Sequence, residues 1–229
     1  TVTISVARAT KTIVLNAADL KITGATLDGT AVPFTLDTGK QQLTLTLPTL
    51  APTGQHRLHF AWTGTINTSA SGLFAIDYTN PDGSAARMLA TQFEAPDARR
   101  FAPMWDEPQY KATFTLSTVA PAAQTAFSNM PATSITQQQD GTTLYRFAET
   151  PKMSSYLLFL GMGDVERKTV MAGKTEIGII TRRGVADQGD YALAQAKRLL
   201  TYYNDYFGQP YPLPKLDMIA GPGSSQFFG

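Results

Sequence analysis

QLTLTLPTLAPTGQHRLHFAW, residues 42–62, spells out a strand, a turn and a second strand. In the first run Leu43, Leu45 and Leu47 alternate with threonine. In the second, His56, Leu58, Phe60 and Trp62 share one face. Successive strand side chains point to opposite faces, so a period of two buries one face and leaves the other wet. Pro52-Thr53-Gly54 supplies turn chemistry between the runs. The same alternation recurs outward from this stretch, with Val2, Ile4 and Val6 in TVTISV and Ala112, Phe114 and Leu116 in KATFTLS. Asp28-Gly29, Thr38-Gly39, Asn80-Pro81-Asp82-Gly83 and Asp140-Gly141 punctuate the chain as turns. YLLFLGM, Tyr156 to Met162, is the longest apolar run. It falls well short of the about 20 apolar residues that cross a bilayer, and it predicts a buried strand. The expected fold is mainly β, with residues 1–171 an antiparallel β-sandwich or saddle-like domain.

The pattern changes near residue 172. KTEIGIITRRG predicts one strand and its turn. A helix follows, with Asp187 as N-cap and Asp190 three residues on. Ala192, Ala196, Leu199, Tyr203 and Tyr206 recur at spacings of four and three and predict one buried stripe. Gly208 stops the helix, Pro210 prevents its continuation, and KLDMIA predicts a further strand. At this helical spacing Tyr202, Tyr203, Tyr206 and Phe207 read as core packing. Residues 172–229 are therefore expected to open a second, mixed α+β domain, cut at Gly229.

Composition narrows the function. The 229 residues are 43% apolar and 16% charged, with a net charge of +1 and no cysteine. Nothing in that balance points to nucleic acid or a charged membrane surface. Disulfides and cysteine-ligated zinc are excluded from this chain. His56 and His59 are the only histidines. On a strand, residues three apart face opposite sides, so the two do not chelate one metal. Gly221-Pro222-Gly223 lacks the Gly-Lys-Ser/Thr ending of a phosphate loop, and the Ser154-Ser155 and Ser224-Ser225 pairs have no neighbouring histidine as base.

Charge concentrates in TQFEAPDARRFAPMWDEP, Thr91 to Pro108. Glu94 reads in two ways: as a structural partner of Arg99 or Arg100, or as a recognition carboxylate. Arg99, Arg100, Asp106 and Glu107 read as structural. Adjacent carboxylates diverge in an extended segment, which argues against an acid/base pair.

Four separated motifs then carry a resemblance. They are Thr91 to Pro108, Ser128-Asn129-Met130-Pro131, TPKMSSYL from Thr150 to Leu157, and YFGQPYPLP from Tyr206 to Pro214. In order and spacing they resemble the aminopeptidase N family of zinc metallopeptidases. The resemblance implies an N-terminal all-β domain followed by the start of a thermolysin-like catalytic domain. It implies peptide substrates, and zinc held in the full-length protein by an HEXXH helix and a distant glutamate. HEXXH is absent from this sequence, so neither metal ligands nor catalytic residues are expected here, and the remaining catalytic and C-terminal domains become partners. Glu94 matches the family's acidic residue for the substrate α-ammonium, Gln92 a position lining the same pocket, and Gly229 the first glycine of a substrate-binding GAMEN motif. GPGSSQFF, ahead of Gly229, departs from the family's usual PDF-type approach. Competing readings are a scaffold relative without zinc and an epoxide-hydrolase-type relative. A carbohydrate-binding module is disfavoured because Trp62 and Trp105 are the only tryptophans and both sit in core-like or motif contexts.

Overall fold

A computed structural model describes residues 1–222. The first seven strands are β1 (Val2–Val6), β2 (Thr10–Asn16), β3 (Leu20–Leu27), β4 (Thr30–Ala31), β5 (Phe34–Asp37), β6 (Gln42–Ala51) and β7 (Gly54–Gly64). They form two antiparallel sheets, ordered β1-β7-β3-β4 and β2-β6-β5. The two strands of the 42–62 stretch do not pair with each other. The turn at Pro52 carries the chain from one sheet to the other, and Leu43, Leu45 and Leu47 of β6 meet Leu58 and Phe60 of β7 in one core. Their period-two patterns are the two inner faces of a sandwich. Trp62 packs against this core and donates its indole N–H to the Phe101 carbonyl at 3.0 Å.

Nine further strands follow: β8 (Gly72–Thr79), β9 (Ala85–Gln92), β10 (Lys111–Ala112), β11 (Ser117–Pro121), β12 (Thr125–Ser128), β13 (Ala132–Gln137), β14 (Thr142–Phe147), β15 (Met153–Ser154) and β16 (Leu160–Gly163). The sheet β12-β16-β9-β8 is covered on both faces. On one face Met88 and Ala90 pack with Val165 and Ile180. On the other, Leu89 packs with Tyr145 and Phe147 of the sheet β11-β14-β13. Burial on both faces explains why YLLFLGM, which runs into β16, reads as a nearly continuous apolar run. YLLFLGM is only partly strand: Ser155–Leu157 form a single 3₁₀ turn, and β16 starts at Leu160. KATFTLS likewise breaks between β10 and β11. Phe114 and Leu116 still point inward there, packing against Phe93, Ala98 and Leu158.

The last elements are β17 (Val165–Ala172), β18 (Thr175–Arg182), α1 (Asp190–Tyr206) and β19 (Lys215–Ile219). β17 and β18 form an antiparallel hairpin that spans residue 172. β19 pairs parallel to β18, and α1 makes the crossover between them. Arg167 of β17 reaches over Gly178 of β18 to Asp217 of β19, at 2.8 Å from Nε to Oδ1. A Cβ at Gly178 would collide with both partners, so glycine is what lets the pair close across the middle strand.

The helix corrects two expectations. A 3₁₀ turn, Ala186–Gly189, precedes it and Gly189 occupies the cap position. Asp187 is exposed and bonds to Lys168 at 2.7 Å instead. Leu193 and Leu200, one heptad apart, are its buried residues. Only the alanines of the predicted stripe pack, Ala192 and Ala196. Leu199, Tyr203 and Tyr206 are 52%, 47% and 68% exposed. Tyr202 and Phe207 are exposed too, and the rings stack on one another, Tyr202 on Tyr206 and Tyr203 on Phe207. Among the described residues nothing covers this flank. No helix among them is long and apolar enough to cross a membrane.

Candidate functional site

β9 delivers the Thr91 to Glu94 motif to the end of the central sheet. Thr91 is buried, and its hydroxyl accepts the Leu160 N–H at 2.9 Å. Gln92 is the last residue of the strand, opposite Gly72 of β8. Phe93 is 1% exposed and anchors the segment in a small core with Ala98 and Leu158. Glu94 emerges on the surface immediately after this anchor.

The rest of the motif is scaffold. Asp106 is 3% exposed. Its carboxylate accepts the Arg99 backbone N–H at 3.0 Å, Arg99 Nε at 3.1 Å and the Ser155 hydroxyl at 2.6 Å. Arg99 also donates to the Asp106 carbonyl and to Gln41 Oε1. Arg100 is held by Asp97 at 2.8 Å and by Asp19. Both arginines are therefore engaged elsewhere, and Glu94 has no hydrogen-bond or ion-pair partner among the described residues. Glu107 diverges from Asp106 as expected, exposed and accepting from Gln109 at 2.8 Å.

The other motifs brace the same region. Ser128 Oγ donates to the Phe159 carbonyl at 2.6 Å. Asn129 Nδ2 donates to the Leu157 carbonyl at 2.8 Å, and its Oδ1 accepts the Phe159 N–H at 2.7 Å. Ser154 Oγ donates to the Pro108 carbonyl at 2.7 Å. Three of the four motifs, separated along the chain, thus converge on one hydrogen-bonded frame beside Gln92.

A cleft of about 600 Å³ opens between the edge strand β12 and β19. Gln92, Asn129, Phe127 and Phe159 line one side, and Tyr211, Asp217 and Met218 the other. Its charges are internally paired. Asp217 takes Arg167 Nη2 at 2.7 Å and Lys215 Nζ at 2.5 Å, and Arg167 Nη1 lies 2.6 Å from Glu176 Oε1. Burial, and then the Asp217 carboxylate, push the Tyr211 phenol above its usual range. Gln92 is thus on the cleft wall, while Glu94 is not among the lining residues. Gly229 lies outside the described residues. Sequence reasoning passed over Lys215 and Asp217; the available signal was two opposite charges at i and i+2 in the otherwise apolar KLDMIA. His56 and His59 sit in the N-terminal sandwich. Among the described residues no group of three or more His, Cys, Asp or Glu side chains could hold a metal.

Residues 1–157 match the Peptidase M1 N-terminal domain family. The chain belongs to the M1 peptidase family. Over 227 residues this M1 chain is 41% identical to an aminopeptidase N of Acetobacter pasteurianus, covering 99% of the chain and 64% of the relative. It is 36% identical over 229 residues to aminopeptidase M1-B of Oryza sativa subsp. japonica, covering 96% of the chain and 26% of the relative. A puromycin-sensitive aminopeptidase of Caenorhabditis elegans is 36% identical over 185 residues, 80% of the chain and 20% of the relative. The M1 chain thus spans 64% of the first of these relatives and about a quarter of the second.

Proposed function

We propose that this chain supplies the amine-recognition wall of a zinc-dependent aminopeptidase that removes N-terminal residues from peptides. Glu94 binds the free α-ammonium, and Gln92 lines the pocket beside it as a neutral amide that does not repel the carboxylate. The observation that carries the reading is the unengaged Glu94. Its neighbouring arginines are neutralised by Asp106, Asp97 and Asp19, which leaves an exposed carboxylate, two residues beyond the cleft-lining Gln92, with no charge partner among the described residues. Such a group accepts charge-assisted hydrogen bonds that a terminal ammonium donates and an internal amide does not, worth about 1.5–3 kcal/mol each.

Zinc belongs to this reading through the family alone. The described residues do not form a metal site, so no catalytic step is assigned to them. In the same reading residues 1–171 are the N-terminal domain, residues 172–229 open the catalytic domain, Gly229 contributes to binding the substrate backbone, and the rest of the full-length protein supplies the metal ligands.

The test follows hydrolysis of an unblocked aminoacyl chromogenic substrate and its N-acetylated twin by the full-length protein, before and after zinc removal. The expected result is zinc-dependent cleavage of the free-amine substrate only, with Glu94→Ala lowering kcat/KM tenfold or more. A loss below threefold in a folded Glu94→Ala enzyme removes the recognition role. No cleavage of either substrate by a folded, zinc-free protein points to the scaffold reading instead.

A further inference from the structure

His56 holds together two turns at one end of the N-terminal sandwich. It is 9% exposed, and both of its ring nitrogens meet acceptors. Nδ1 lies 2.7 Å from Asp28 Oδ2 in the β3–β4 turn, and Nε2 lies 2.9 Å from the Pro52 carbonyl oxygen in the β6–β7 turn. Neither a carbonyl nor an ionised carboxylate donates a proton, so both bonds need an N–H from the ring. A neutral imidazole has one N–H; the imidazolium has two. Asp28 is fixed independently of the ring. Its Oδ1 accepts the Arg57 backbone N–H at 2.7 Å, and its own N–H donates to the Arg57 carbonyl at 2.8 Å. First the Arg57 amide and then His56 hold the Asp28 carboxyl below the usual carboxylate range.

We propose that His56 is a proton-operated clamp, tying the β3–β4 turn to the β6–β7 turn while charged and releasing the β6–β7 turn when neutral. On loss of one proton the remaining N–H stays with Asp28, because a bond to a carboxylate is stronger than one to a neutral carbonyl. The Nε2 lone pair then faces the Pro52 oxygen, and that contact turns repulsive. Asp28 is the charged side chain facing the ring. β1 places Ile4 opposite His56, the β6–β7 turn contributes the Pro52 carbonyl, and Arg57 on β7 is exposed and engages Asp28 through its backbone. The Asp28 bond first, and the Pro52 carbonyl second, raise the imidazole above the ordinary histidine range. With the folded value raised, the clamp's stabilisation is complete below the ordinary range and is lost as pH rises through the raised value.

With two histidines in the chain, proton NMR of the imidazole region reads the clamp directly. The exposed His59 is assigned with His59→Gln. The expected result is a His56 midpoint above the ordinary histidine range, lowered in Asp28→Asn. Amide exchange at Thr53 to Gln55 should quicken across the same midpoint. A His56 midpoint at or below the ordinary range overturns the proposal. So does a midpoint that Asp28→Asn leaves in place, or turn exchange that ignores the titration.

Discussion

At the scale of single residues, carboxylates within thirteen positions of one another do opposite jobs. Asp106 is buried and saturated with donors, whereas Glu94 is exposed and has no partner among the described residues. Removing Asp106 strands the Arg99 guanidinium, whose side chain is only 12% exposed. An unpaired buried charge costs about 3–5 kcal/mol, so Asp106→Ala should lower unfolding free energy by that order in denaturant titration. Glu94→Ala should leave stability nearly unchanged, within about 0.5 kcal/mol, because no partner is lost. The sequence separated Asp106 from Glu107 by their adjacency, but it left the partner of Glu94 open. Whether Arg99 or Arg100 was available to it depended on where Gln41 and Asp19, from distant turns, met them.

At the scale of elements, α1 shows how a correct period can assign the wrong face. The stripe through Ala192, Ala196, Leu199, Tyr203 and Tyr206 is helical, and α1 spans all of it. The sheet meets the helix along the adjacent ridge through Leu193 and Leu200, so the aromatic part of the stripe is left open. Leu200→Ala should therefore cost about 2–5 kcal/mol by loss of buried volume. Leu199→Ala should stay within about 0.5 kcal/mol. Thermal or denaturant unfolding of the two variants separates them. Equal losses would show that Leu199 is covered in the folded protein.

At the scale of the whole molecule, Asp164 links the central sheet to the last one. It accepts Arg183 Nε at 2.6 Å and Asn80 Nδ2 at 2.8 Å, and its carbonyl accepts the Tyr78 hydroxyl at 2.7 Å. Arg183 first, with Asn80 adding to it, holds the Asp164 carboxyl below its usual range. A depressed folded value gives stability that is present above the ordinary aspartate range and lost as pH falls through the depressed value. Wild type should thus unfold at higher temperature than Asp164→Asn near neutral pH. The two curves should start to approach each other as pH falls below about 4, the ordinary aspartate range, and meet once pH has passed through the depressed folded value. The sequence by itself determined what is local. Period-two alternation gave the strands, Gly and Pro gave the turns, and four ordered motifs gave the family. Only the tertiary structure decided which strands share a sheet, that β6 and β7 face each other rather than pair, and which face of α1 is covered. It also decided that Arg99 and Arg100 are engaged by other carboxylates and leave Glu94 without a partner among the described residues. Alternation and helical period report which side of an element is apolar. The partner of that side is set by contacts between residues far apart in the chain, and no local pattern encodes those.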